Sequence, residues 1–169
     1  MQTRVRYFAR LIVVTTIMAS ACGGPIILSH YGSLQSAAGL RKRPHNGVDF
    51  GGGFGAPVLA AAEGTVARAG TMGPSCGVGV SIKHEFGLHT VYCHLSTVQA
   101  LRGATIKRGQ TIGTIGMTGE SGGVPHLHFM LGSNGDGDPM KYIVGCYESG
   151  VEYPIDKVVL TYPVECRNR

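Results

Sequence analysis

An all-β fold is predicted for this chain by three observations. It holds 27 glycines in 169 residues, its apolar residues come in short runs rich in Val, Ile and Thr, and no stretch of convincing length repeats them at the helical period. Glycine in that number supplies tight turns, and β-branched residues fit the pleated surface of a strand. The length suits a single domain with its own core. The expectation is therefore one antiparallel β-sheet domain of short strands and Gly-rich turns.

The N-terminus reads as a targeting segment rather than as part of that fold. Arg4, Arg6 and Arg10 precede an apolar run over residues 11–18, too short to span a bilayer and of the length of a signal h-region. Ala19-Ser20-Ala21 then offers small residues for cleavage, and Cys22 follows directly. That placement resembles a bacterial lipoprotein signal, in which the cysteine is lipidated. Residues 1–21 are expected to be a signal peptide and Cys22 the anchor. Ala19 stands where such signals usually carry Leu, so ordinary secretion is the alternative. Either way the chain is expected outside the cytoplasm, in the cell envelope.

Loss of residues 1–21 removes three arginines and leaves a formal charge of +2, from 12 basic and 10 acidic residues. Much of the basic character is thus targeting. Arg41-Lys42-Arg43 lacks stacking aromatics and is a thin footprint for nucleic acid. It reads as the solvated end of a linker over residues 22–43, with attraction to an anionic cell wall as a secondary role.

The strands are placed in chain order by composition and punctuation. Residues 45–49, His-Asn-Gly-Val-Asp, read as extended because Pro44 before them and Gly51, Gly52 and Gly53 after them disfavour a helix. His45 and Asp49 would then share a face, with Gly47 leaving room for an ion. Residues 58–62 and 64–69 read as two strands around Glu63-Gly64. Residues 78–83 and 89–94 read as a hairpin closed by Glu85-Phe86-Gly87, residues 111–115 as a further strand, and residues 158–164 as strand-like. Strand side chains alternate faces, so His126 and His128 project together while Leu127 and Phe129 point the other way. The same alternation sets Thr90, Tyr92 and His94 on one side and Val91 and Cys93 on the other. His30 reads as linker, and His84 and His89 as structural or solvated positions flanking the hairpin loop.

A hydrolytic zinc ion typically takes three nitrogen or oxygen ligands and leaves a fourth position to water. His45, Asp49, His94, His126 and His128 supply enough donors, with two to spare. The residues around them resemble the lysostaphin-type zinc endopeptidases that cut peptidoglycan. The resemblance runs from about Pro44 to Pro139 and includes H-N-G-V-D-F at 45–50, G-T-V-A-R-A-G at 64–70 and the segment 80–96 ending Y-C-H-L-S. It continues through R-G-Q-T-I-G at 108–113, and G-x-T-G-x-S at 116–121 leads into P-H-L-H-F at 125–129. What it implies is that His45, Asp49 and His128 hold one zinc in a groove, while His94 and His126 stay off the metal and take part in catalysis. Residues 121–125, Ser-Gly-Gly-Val-Pro, are one residue longer than the family's common S-T-G-P form, a change at one edge of that groove. On this reading the chain divides into a signal peptide (1–21), a linker (22–43), a zinc metallopeptidase domain (44–140) and a disulfide-linked extension (141–169).

Four cysteines remain after Cys22, an even number in an exported chain, which points to disulfides. Of three possible pairings, Cys76 with Cys93 would tie the arms of the hairpin, and Cys146 with Cys166 would close the tail. Loops of this size correspond to roughly 3 kcal/mol each in the chain-entropy model. Cys93 as a ligand or nucleophile is disfavoured, because its side chain is expected to point away from that of His94.

No glutamate accompanies the expected ligands, so His94 and His126 are the candidates for general base and oxyanion donor. The expected activity is hydrolysis of peptide cross-links, through stem peptides or cross-bridges of bacterial peptidoglycan, by zinc-activated water. The alternative is a catalytically silent envelope protein that binds cell wall or activates another hydrolase, for which loss of a ligand would be the mark.

Overall fold

The computed structural model describes residues 23–36, 38–132 and 135–167. The signal segment 1–21 and Cys22 lie outside the described residues. Twelve strands follow in order: β1 (Ile27–Ser29), β2 (Gln35–Ser36), β3 (Gly39–Leu40), β4 (Val48–Gly51), β5 (Pro57–Leu59), β6 (Gly64–Gly73), β7 (Gly77–Lys83), β8 (His89–Cys93), β9 (Leu95–Val98), β10 (Thr105–Ile106), β11 (Thr111–Ile115) and β12 (His126–Leu131). The helical elements among the described residues are two 3-10 turns, Glu85–Gly87 and Pro139–Lys141. No described helix is long and apolar enough to cross a membrane.

Seven strands form one antiparallel sheet in the order β1-β4-β12-β8-β7-β6-β10, and a smaller sheet runs β5-β11-β9. The core joins the two. Val48 and Phe50 of β4, Leu127 and Phe129 of β12, Tyr92 of β8 and Ile82 of β7 meet Val58 of β5, Leu95 of β9 and Ile112 and Ile115 of β11 in one buried cluster. Burying each of these side chains contributes about 1.5–3 kcal/mol. Strand β12 is buried along its whole length. One of its faces feeds the core with Leu127, Phe129 and Leu131, which frees His126, His128 and Met130 for the other face.

Four expectations change. The hairpin of β7 and β8 is as expected, but β8 ends at Cys93, one residue short of His94. The segment at 58–62 leaves the strand after Leu59, and residues 158–164 make only isolated bridges, Val58 to Val164 and Ile143 to Leu160. Residues expected as linker are ordered against the domain: β1 pairs with β4 through Ile27 and Phe50, and β2 pairs with β3. Ile26 and Leu28 also crowd Gly51, which gives this segment an apolar reason to stay.

Candidate metal centre

Register between neighbouring strands assembles the site. Asp49 on β4 lies directly across from His128 on β12, and His128 lies across from Cys93 on β8. Residues opposite each other in an antiparallel pair share a face, so the three side chains stand in a row on the side of the sheet away from the core. His128 Nδ1 is 2.9 Å from Asp49 Oδ1, and His45 Nε2 is 2.9 Å from His128 Nδ1 and 3.1 Å from Asp49 Oδ1. The donor atoms of His45, Asp49 and His128 all fall within 4.8 Å of one another, and all three residues are buried. Two imidazoles and a carboxylate at that spacing fit a zinc ion.

His45 reaches this cluster from outside β4. Its ring is oriented by the N-terminal segment: Nδ1 faces the His30 carbonyl at 3.0 Å and Ser29 Oγ at 3.2 Å, and its backbone N–H donates to Ser33. A carbonyl only accepts, so Nδ1 carries the proton and leaves the Nε2 lone pair toward the cluster. Gly47 serves close packing rather than an ion. A Cβ there would lie 2.5 Å from the Phe129 carbonyl oxygen and 2.8 Å from His128 Cε1.

The alternation expected for β8 fails at its last step. Tyr92 faces the core, where its hydroxyl accepts from the Ala61 N–H at 2.9 Å and from Thr90 Oγ1 at 3.0 Å, and burial pushes its pKa up to about 12. Regular continuation would bury His94 beside it. Instead His94 adopts φ 65°, a left-handed conformation that turns its ring onto the opposite face. The ring centroid then sits 4.8 Å from that of His126 and 5.6 Å from that of His128. Cys93, expected to point away from His94, is on this same face, and its sulfur is committed to a disulfide with Cys76. A second disulfide joins Cys146 to Cys166.

His94 and His126 share one mode of support. His94 Nδ1 donates to the Thr118 carbonyl at 2.7 Å and His126 Nδ1 to the Val124 carbonyl at 2.8 Å, which leaves Nε2 on each as a lone pair. Burial, reinforced by the neighbouring His126 and His128, lowers the His94 pKa to about 4. Burial likewise lowers the pKa of His128, against the opposing hydrogen bond with Asp49. For Asp49 burial acts upward, but its contacts with His128 and His45 outweigh it and hold the carboxyl well below the usual range. Asp49 is thus held toward its carboxylate form and His128 toward its neutral form, as ligation of a divalent metal requires.

Peptidase family M23 matches residues 43–140. The chain belongs to peptidase family M23. Among its relatives, this M23 chain is 43% identical over 95 residues to an uncharacterized metalloprotease of Haemophilus influenzae, covering 56% of this chain and 20% of that protein. It is 41% identical over 91 residues to the peptidoglycan DD-endopeptidase ShyA of Vibrio cholerae, covering 54% and 21%. The chain therefore spans about a fifth of the length of these relatives. The catalytic domain of lysostaphin from Staphylococcus simulans has a similar structure, with TM-score 0.62 and 32% identity, over 70% of this chain and 91% of that domain. A zinc-containing peptidase from Vibrio cholerae matches with TM-score 0.56 and 35% identity over 64% of this chain and 33% of that one.

Arg41, which reads in the sequence as a solvated linker end, donates from Nη2 to Asp49 Oδ2. The signal that could have found it is the position of a cation just ahead of an expected ligand motif. His84, by contrast, is a structural residue as expected: buried, with Nδ1 donating to the Glu63 carbonyl and Nε2 against Thr90 Oγ1.

Proposed function

We propose that this M23 chain is an exported zinc metalloendopeptidase that hydrolyses the peptide cross-links of bacterial peptidoglycan. The observation that carries the reading is the buried His45, Asp49 and His128 cluster faced by two further histidines whose Nε2 atoms are free to take a proton. Those three residues would hold one zinc per chain, and zinc bound there would polarise the scissile carbonyl and lower the pKa of its water to about 7.

His94 and His126 supply the rest. A neutral imidazole anchored through Nδ1 accepts a proton at Nε2, and once protonated it donates from the same atom to the developing oxyanion or the leaving amine. The silent-protein alternative is disfavoured because none of the five groups is missing. The names of the relatives support the substrate class: ShyA is a peptidoglycan DD-endopeptidase, and a relative from Staphylococcus capitis, ALE-1, is a glycyl-glycine endopeptidase. Cys22 after Ala19-Ser20-Ala21 supports an envelope anchor, and Cys22→Ser should move the protein from the membrane to the soluble exported fraction.

The deciding experiment is digestion of purified sacculi by the metal-loaded chain, with the released fragments identified by mass spectrometry. Cleaved cross-links lost on chelation and restored by zinc are expected. Intact sacculi with a zinc-loaded chain would overturn the proposal.

A further inference from the structure

The two oxygens of Asp49 have different neighbours. Oδ1 gathers three ring nitrogens: His128 Nδ1 at 2.9 Å, His45 Nε2 at 3.1 Å and His126 Nε2 at 3.6 Å. Oδ2 receives the Arg41 guanidinium instead. The Asp49 side chain is only 3% exposed, so Oδ2 has no solvent to turn to, and an unpaired carboxylate oxygen there would be costly. Arg41 is itself held in place. Its N–H donates to the Leu34 carbonyl at 2.7 Å, closing the β2–β3 hairpin in which Gln35 pairs with Leu40. Ala38 of that hairpin packs so closely on Gly122, in the loop before β12, that a Cβ at Gly122 would lie 2.3 Å from it. Arg41 and its hairpin precede residues 43–140, the part matched by the family.

We infer that Arg41 is a positioning residue for Asp49: it engages one carboxylate oxygen so that the other alone is offered to the metal. The inference rests on the zinc reading of the cluster above. Asp49 acting through one oxygen leaves coordination positions to water and substrate, and the guanidinium draws charge from the carboxylate. Both effects keep the bound metal a strong Lewis acid. The contact is made by Nη2 alone and to Oδ2 alone, so the guanidinium neutralises one oxygen without covering the other.

The test uses the full chain loaded with cobalt(II), whose visible absorption is intense in four-coordinate sites and weak at higher coordination. The parent chain is expected to show the intense band. In Arg41→Ala, Asp49 is released to use both oxygens, so cobalt remains bound but the band weakens, and kcat with zinc falls about 10- to 100-fold with little change in KM. Arg41→Lys, which keeps the charge on a shorter side chain, should be intermediate. An Arg41→Ala chain with the parent spectrum and parent kcat would overturn the inference. So would a crystal structure of the zinc-loaded parent with Asp49 bidentate and Arg41 turned away, a measurement that does not depend on the variant folding. A parent chain that takes up neither metal would defeat the zinc reading itself.

Discussion

His94 shows how much of the site depends on single residues. A non-glycine residue in the left-handed region costs about 1–2 kcal/mol, and here that cost is offset by two bonds, from the backbone N–H to the Cys76 carbonyl at 2.9 Å and from Nδ1 to the Thr118 carbonyl. The conformation places the ring beside His126 rather than in the core. Replacing His94 with Ala should leave zinc bound and lower kcat by about 10²- to 10⁴-fold, the usual contribution of a positioned acid or base. Near-parent turnover alongside full zinc content would reduce His94 to a strand-end residue. Gly47 tests the opposite partition. A methyl group at Gly47 collides with the His128 ring and the Phe129 carbonyl, so Gly47→Ala should weaken zinc binding by about tenfold or more, measured by chelator competition.

The elements that matter most are the turns that hold the ends of β7, β8 and β12. Cys76 stands just before β7, and its disulfide to Cys93 fixes the carbonyl that receives the His94 N–H. The loop over residues 117–121 packs on the same turn: Glu120 N–H donates to Ser75, and Val78 N–H donates to Thr118 Oγ1. Since Thr118 also orients the His94 ring, one disulfide supports both anchors of this histidine. Replacing both Cys76 and Cys93 with Ala should therefore cost activity as well as stability. The expected result is a kcat reduced about tenfold or more with zinc retained, because small misplacements of a proton-transfer group are costly. Equal kcat in the disulfide-free chain at a temperature where it is folded would show that the bond serves stability alone.

On the scale of the molecule, the C-terminal extension is bound into the domain and buried histidines make its stability depend on pH. Buried Arg108 donates to the carbonyls of Ala61 at 2.7 Å and Val159 at 2.9 Å and lies 4.3 Å from the Tyr153 ring centroid, which fastens the tail to the turn before β11. Burial lowers the pKa of His84 below its ordinary 6.5 and that of His94 to about 4. Both stay neutral in the fold while the unfolded chain takes up protons below pH 6.5. The unfolded state then binds more protons, so stability falls as pH drops through that window and is fully present above it. Denaturant unfolding of the metal-stripped chain should show this loss between pH 6.5 and 4, and His84→Gln should reduce its slope. A pH-independent midpoint across that range would refute the assignment of these histidines as buried and neutral.

Sequence alone determined the all-β class, the hairpin of β7 and β8 and the cysteine pairing, and it singled out five residues that the fold brings together, because strand period, turn glycines and motif spacing are local properties. The face of β12 was legible for the same reason: alternation through His126 and His128 needs only the period of two. Tertiary structure decided what depends on contacts between distant segments. His94 lies on the face of His126 and His128 through a left-handed conformation that no alternation rule foresees, held by carbonyls at Cys76 and Thr118. Gly47 makes room for a side chain 81 positions along the chain rather than for an ion. Arg41 reads as a solvated linker residue until the β2–β3 hairpin sets it against Asp49. In each case the deciding partner is remote in sequence and adjacent only once the sheet has closed, so no local period or composition carries the information.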